Sequence, residues 1–104
     1  MKLITKEIEK KAPAIGTTGE MDPSDIKVVA KFFFPAGNWT WYMTEYDPEE
    51  RLCFGFVIGH ENELGYWSMD ELEEIFVNGL RVERDRWFAP GTWTLEQVMK
   101  GATP

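Results

Sequence analysis

A chain of 104 residues is long enough for one domain and too short for a second core. Its net charge of −7 argues against nucleic-acid binding, which calls for a basic footprint. A lone cysteine, Cys53, excludes an internal disulfide, and with His60 as the lone histidine a Cys/His metal site has too few ligands.

Thr5 is placed to cap a first helix, with Glu7 and Glu9 at its positive end and Lys10 and Lys11 at its negative end. Leu3 or Ile4, Ile8 and Ala12 share one face, and Pro13 stops the helix. Residues 15–25, rich in Gly, Thr, Asp and Pro, read as a loop. From Ile26 to Phe34 the chain reads as a strand that buries Ile26, Val28, Ala30, Phe32 and Phe34. A turn at Pro35-Ala36-Gly37 leads into residues 38–45, where Trp39, Trp41 and Met43 alternate with Thr40, Tyr42 and Thr44. Asp47-Pro48-Glu49-Glu50 turns the chain again.

Leu52 to His60 places Leu52, Phe54, Phe56 and Ile58 opposite Cys53, Gly55, Val57 and Gly59. This is the pattern of a central strand covered on both faces, whose small side lets a ring or helix come close. Glu61-Asn62 then turns into a strand ending at Trp67. Ser68 to Glu71 has the form of a capping box, with Trp67 stapling onto Leu72 and Asn78-Gly79 ending the helix. Val82 to Phe88 reads as another strand, and Thr94 to Gln97 repeats the capping device with Trp93 and Val98 as its staple. The expected fold is α+β in the order α-β-β-β-β-α-β-α. It has an antiparallel meander of about five strands, with the helices gathered on one face.

No stretch approaches the ~20 apolar residues that span a bilayer, and Met1 to Glu7 has no long apolar run, so a cytoplasmic protein without membrane contact is expected. No cofactor signature is present. Gly55 and Gly59 flank a strand segment with no Lys-Ser/Thr and no following helix, so they do not form a phosphate loop. His60 has no nucleophile motif beside it, and Cys53 falls in an apolar run as an inert thiol.

Charge is unevenly distributed. Residues 1–35 balance to +1, whereas residues 45–74 carry ten acids against Arg51 alone, a net −9. This acidic centre, with nearby rings, points to a non-enzymatic interaction module that binds a basic protein partner. Its candidate contacts are Tyr42, Glu45, Glu49, Glu50, Glu63, Tyr66, Glu73 and Glu74, with Tyr42 expected to be exposed. Trp39, Trp41, Glu83 and Asp85 are secondary candidates. If the partner handles nucleic acid, the carboxylates stand in for phosphates. One alternative is a metal-assisted hydrolase using Glu45, Glu63, Glu83 and Asp85. Another is a single-strand binder stacking bases on Trp39, Trp41 and Tyr42.

The opening Met1 to Glu7 resembles that of a family of small bacterial proteins of unknown function, often carried on plasmids and integrated mobile elements. So do Lys31-Phe32-Phe33, Asn38 to Tyr42, Phe54-Gly55, Glu63 to Tyr66 and Glu83-Arg84-Asp85. The resemblance spans nearly the whole chain. It implies a mobile-element setting, in which accessory and anti-defence proteins are common, and it brings no activity, cofactor or catalytic residue.

Overall fold

The Thr5 hydroxyl accepts a hydrogen bond from the Ile8 backbone N–H at 3.2 Å and starts α1 (Lys6–Lys11). The structure is a computed structural model and describes residues 2–104, so Met1 of the opening motif lies outside the described residues. Four consecutive strands follow: β1 (Ala30–Phe33), β2 (Thr40–Asp47), β3 (Leu52–Ile58) and β4 (Asn62–Ser68). After α2 (Met69–Glu74) come β5 (Phe76–Val77), β6 (Leu80–Arg81), β7 (Glu83–Arg84) and α3 (Leu95–Met99). Among the described residues the fold is α+β: an antiparallel five-stranded sheet in the order β4-β3-β2-β1-β7, with three short helices and the β5–β6 hairpin.

Strand β3 lies inside the sheet, and its two faces pack as its alternation requires. Cys53 and Val57 join a core with Trp41, Met43, α1 and α2, while Phe56 and Ile58 join Tyr42, Leu95 and Val98 of α3. The small side of β3 permits two close approaches. A methyl group at Gly55 would lie 1.9 Å from the Tyr42 carbonyl oxygen, and one at Gly59 would lie 2.3 Å from the Trp39 ring.

Four expectations are corrected. The helices lie on both faces, because α1 and α2 fill one apolar side of the sheet and α3 the other. The strand expected over 26–34 divides: Val28 N–H bonds to Trp93 O and Leu95 N–H to Ile26 O, so 26–28 pairs with the segment entering α3, while Val29 N–H bonds to Met43 O and Ala30–Phe33 forms the ladder with β2. Asn78 and Gly79 both have positive φ, 53° and 79°, and form the turn of the β5–β6 hairpin. They therefore do not cap α2, which ends at Glu74. The strand over 82–88 shrinks to Glu83–Arg84, because the Asp85 carboxylate accepts the Trp87 N–H and its carbonyl accepts the Phe88 N–H, curling the chain away.

Candidate functional site

A β-bulge at Thr44 decides the fate of the central carboxylate. The β2–β3 register shifts between Met43 and Glu45, so Met43 and Tyr46 face the same core and Glu45 turns to the other side. There the loop after Pro13 closes over it. Glu45 accepts hydrogen bonds from Gly16 N–H at 2.9 Å, from Thr18 N–H at 2.7 Å and from the Thr18 hydroxyl. It is 2% exposed. Burial pushes its carboxyl upward, but the three donors more than offset this and hold it below the usual carboxylate range. Glu45 pins a loop, and its placement as a surface contact is corrected.

Tyr42 is corrected likewise. It is 2% exposed, packed between Phe56, Phe88 and α3, because β2 is covered on the face that was expected to be open. Its phenol is shifted upward, first by burial and then by Asp85. The Lys31 ammonium lies 5.9 Å from the Tyr42 ring centroid, 3.6 Å from Asp85 Oδ2 and 2.7 Å from Pro104 O. Asp85 is thus committed to tying β7 to β1, and Glu83 is half-buried on the same strand edge.

Glu73 is not free either. Arg51 makes a two-pronged contact to it, at 2.8 and 3.1 Å, and also bonds Asp70. The Glu73 carboxylate is the largest cause of an upward shift of the guanidinium. These ion pairs fix the β2–β3 turn to α2.

What remains open lies in three places. Glu49 and Glu50 stand exposed on the β2–β3 turn, Glu61 and Glu63 at the other end of the β3–β4 ladder, just before and within β4, and Glu71 and Glu74 on α2. None of these six has a salt bridge among the described residues. Tyr66 is 62% exposed and leans on Phe54, with ring centroids 4.8 Å apart. Leu64, on the same face of β4, is 44% exposed.

The aromatic cluster divides. Trp41 is buried against α2, Tyr42 lies on the opposite face, and Trp39 is 37% exposed, stacked on Trp41 and edge-on to His60 at 5.4 Å. Trp39, Trp41, Phe34, Ile75 and Val77 line an apolar depression of about 300 Å³. The three rings do not form one stacking platform. The carboxylates named for a hydrolase are likewise separated: Glu63 lies on edge strand β4, Glu83 and Asp85 at the opposite edge, and Glu45 under its loop. Among the described residues no three His, Cys, Asp or Glu side chains converge as a metal site.

One family model, DUF2958, described as a protein of unknown function, matches residues 3–103. The chain belongs to the DUF2958 family. That membership takes in the whole sheet, all three helices and every carboxylate discussed above, and assigns none of them a role. Neither the curated proteins nor the solved structures gave a match. No helix among the described residues is long and apolar enough to cross a membrane.

Glu63 and Tyr66, both named from the sequence, fall on β4. That β4 is an edge strand could not be read from its alternation of Glu63, Gly65 and Trp67 with Leu64 and Tyr66, because an edge strand differs from a central one only in what lies beside it.

Proposed function

We propose that this DUF2958 protein is a non-enzymatic interaction module whose acidic surface binds a basic surface on a protein partner. The observation that carries the reading is the division among the acids of residues 45–74. Glu45, Asp47, Asp70 and Glu73 are engaged internally, while Glu49, Glu50, Glu61, Glu63, Glu71 and Glu74 stay exposed with no cation bridging them among the described residues. An excess of one sign of charge over a folded surface raises its potential, which draws in a cationic partner. Tyr66 and Leu64 add apolar contact of the kind that anchors interfaces. Carriage on plasmids and integrated mobile elements, which the family resemblance implies, suits an accessory protein of this type acting on host nucleic-acid machinery in the cytoplasm.

The test is a quantitative pull-down from bacterial lysate with the wild-type chain and with Glu49→Lys, Glu50→Lys, Glu63→Lys and Glu74→Lys combined. Glu73 is spared because reversing it breaks the Arg51 ion pair. The expected result is recovery of basic proteins by the wild type, weakened by salt and lost in the variant. Equal recovery by both chains defeats the reading.

A further inference from the structure

Strand β4 ends the sheet, and among the described residues it is paired on one side only. Two hydrogen bonds flanking its ladder with β3 reveal which backbone groups point outward. Met69 N–H bonds to Arg51 O and Gly59 N–H bonds to Glu61 O, at the two ends of one register. Antiparallel pairs alternate between bonded and non-bonded, so Cys53–Trp67, Gly55–Gly65 and Val57–Glu63 are the bonded pairs. The N–H and C=O groups of Asn62, Leu64 and Tyr66 therefore face away from β3.

The side chains of this edge divide by chemistry. Leu64 and Tyr66 lie on the face shared with Phe54 and Phe56 and are the exposed apolar residues of the strand. Glu63 sits opposite Val57, on the face of the sheet that also carries α2. Between Glu63 and Trp67, Gly65 contributes no side chain, and a methyl group there would meet nothing within 4 Å. Natural edge strands are commonly blunted by charged side chains, proline or a bulge; β4 has no lysine, proline or bulge, and the one charge on it is Glu63.

We infer that β4 accepts an extended segment of a basic protein as a sixth strand, with apolar residues set against Leu64 and Tyr66 and Lys or Arg set against Glu63 and the gap at Gly65. The inference rests on the acidic-surface reading above and gives it a binding mode. Main-chain bonds hold the segment, and the alternation of the edge selects its sequence. Charge decides the occupant. A second copy of this chain would bring another −7 and a second Glu63 to the same edge, whereas a cationic strand neutralises it.

The test uses a synthetic peptide the length of β4 that alternates lysine with valine, titrated calorimetrically into the full chain. Two perturbations remove main-chain pairing without touching charge. One is the same peptide N-methylated at alternate residues. The other is Leu64→Pro, which deletes an outward N–H and leaves the β3 ladder intact. The expected result is salt-sensitive binding by the wild type, weakened by at least about tenfold in either perturbation. If Leu64→Pro fails to fold, the N-methylated peptide alone decides. Undiminished binding in both, with loss in the fourfold Glu→Lys variant, overturns strand addition and leaves the acidic surface standing. Binding untouched by any of the three overturns both. A concentration-dependent dimer that is abolished by Leu64→Pro and indifferent to the peptide assigns the edge to a second copy and overturns the inference.

Discussion

Replacing Glu45 by glutamine separates a structural carboxylate from a chemical one. The native side chain receives three donors, two from backbone and one from the Thr18 hydroxyl, at a position 2% exposed. Bonds to a charged group contribute about 1.5–3 kcal/mol each. Glutamine keeps its carbonyl for the two Thr18 donors at neutral strength, but its amide N–H then confronts the Gly16 N–H. One bond lost and two weakened amount to about 2–4 kcal/mol, a drop of roughly 10–30 °C in Tm for a domain this size. Acid dependence gives a second readout. Burial raises this carboxyl, and the three donors more than reverse that, so its folded pKa lies below the unfolded one. The stability it supplies is fully present above the unfolded value of about 4.3 and is lost as pH falls through the folded pKa. Thermal melts followed by tryptophan fluorescence at neutral pH and between pH 5 and 3 should show Glu45→Gln less stable, with a shallower loss in acid. A variant within about 0.5 kcal/mol of the wild type, with an unchanged acid slope, would refute the pinning role.

Gly55→Ala should be far costlier than its single methyl suggests. The new Cβ falls 1.9 Å from a backbone oxygen on β2 that cannot move without parting the ladder, so urea denaturation should show a loss of about 3 kcal/mol or more, or no fold at all. Cys53 is fully buried and its thiol is pushed up to about 12, so a thiol reagent should label it only at the rate of unfolding; rapid native labelling would contradict the packing. Trp87, 95% exposed, should tolerate alanine within about 0.5 kcal/mol by chemical denaturation.

Much of the fold was legible because it is written locally. The three caps at Thr5, Ser68 and Thr94 accept the N–H groups three residues on, and Thr94 closes a full box with Gln97. The alternation of residues 52–58 announced a strand covered on both faces, and Gly59 admits the Trp39 ring as the small side allowed. What was illegible depends on partners distant in sequence. The bulge that turns Glu45 inward is an offset between two strands, and its cover comes from residues 27 and 29 positions earlier. Asn78-Gly79 suits a helix end and a hairpin turn equally well by composition. The choice fell to the hairpin, which leaves Phe76 59% exposed beneath the Arg81 guanidinium. The candidate surface was half legible. Clustering of acids was visible from composition, but which of them remain unpaired required knowing where Arg51 reaches.

The claim that the acids of residues 45–74 act through their position is tested most directly by two chains of equal charge. One reverses Glu49, Glu50, Glu63 and Glu74 to lysine, and the other reverses Glu7, Glu9, Glu20 and Asp25, all exposed and outside that segment. Partner recovery from isotope-labelled lysate, compared by mass spectrometry, should fall for the first chain and match the wild type for the second. Equal losses from both would make net charge alone responsible and contradict a localised binding surface.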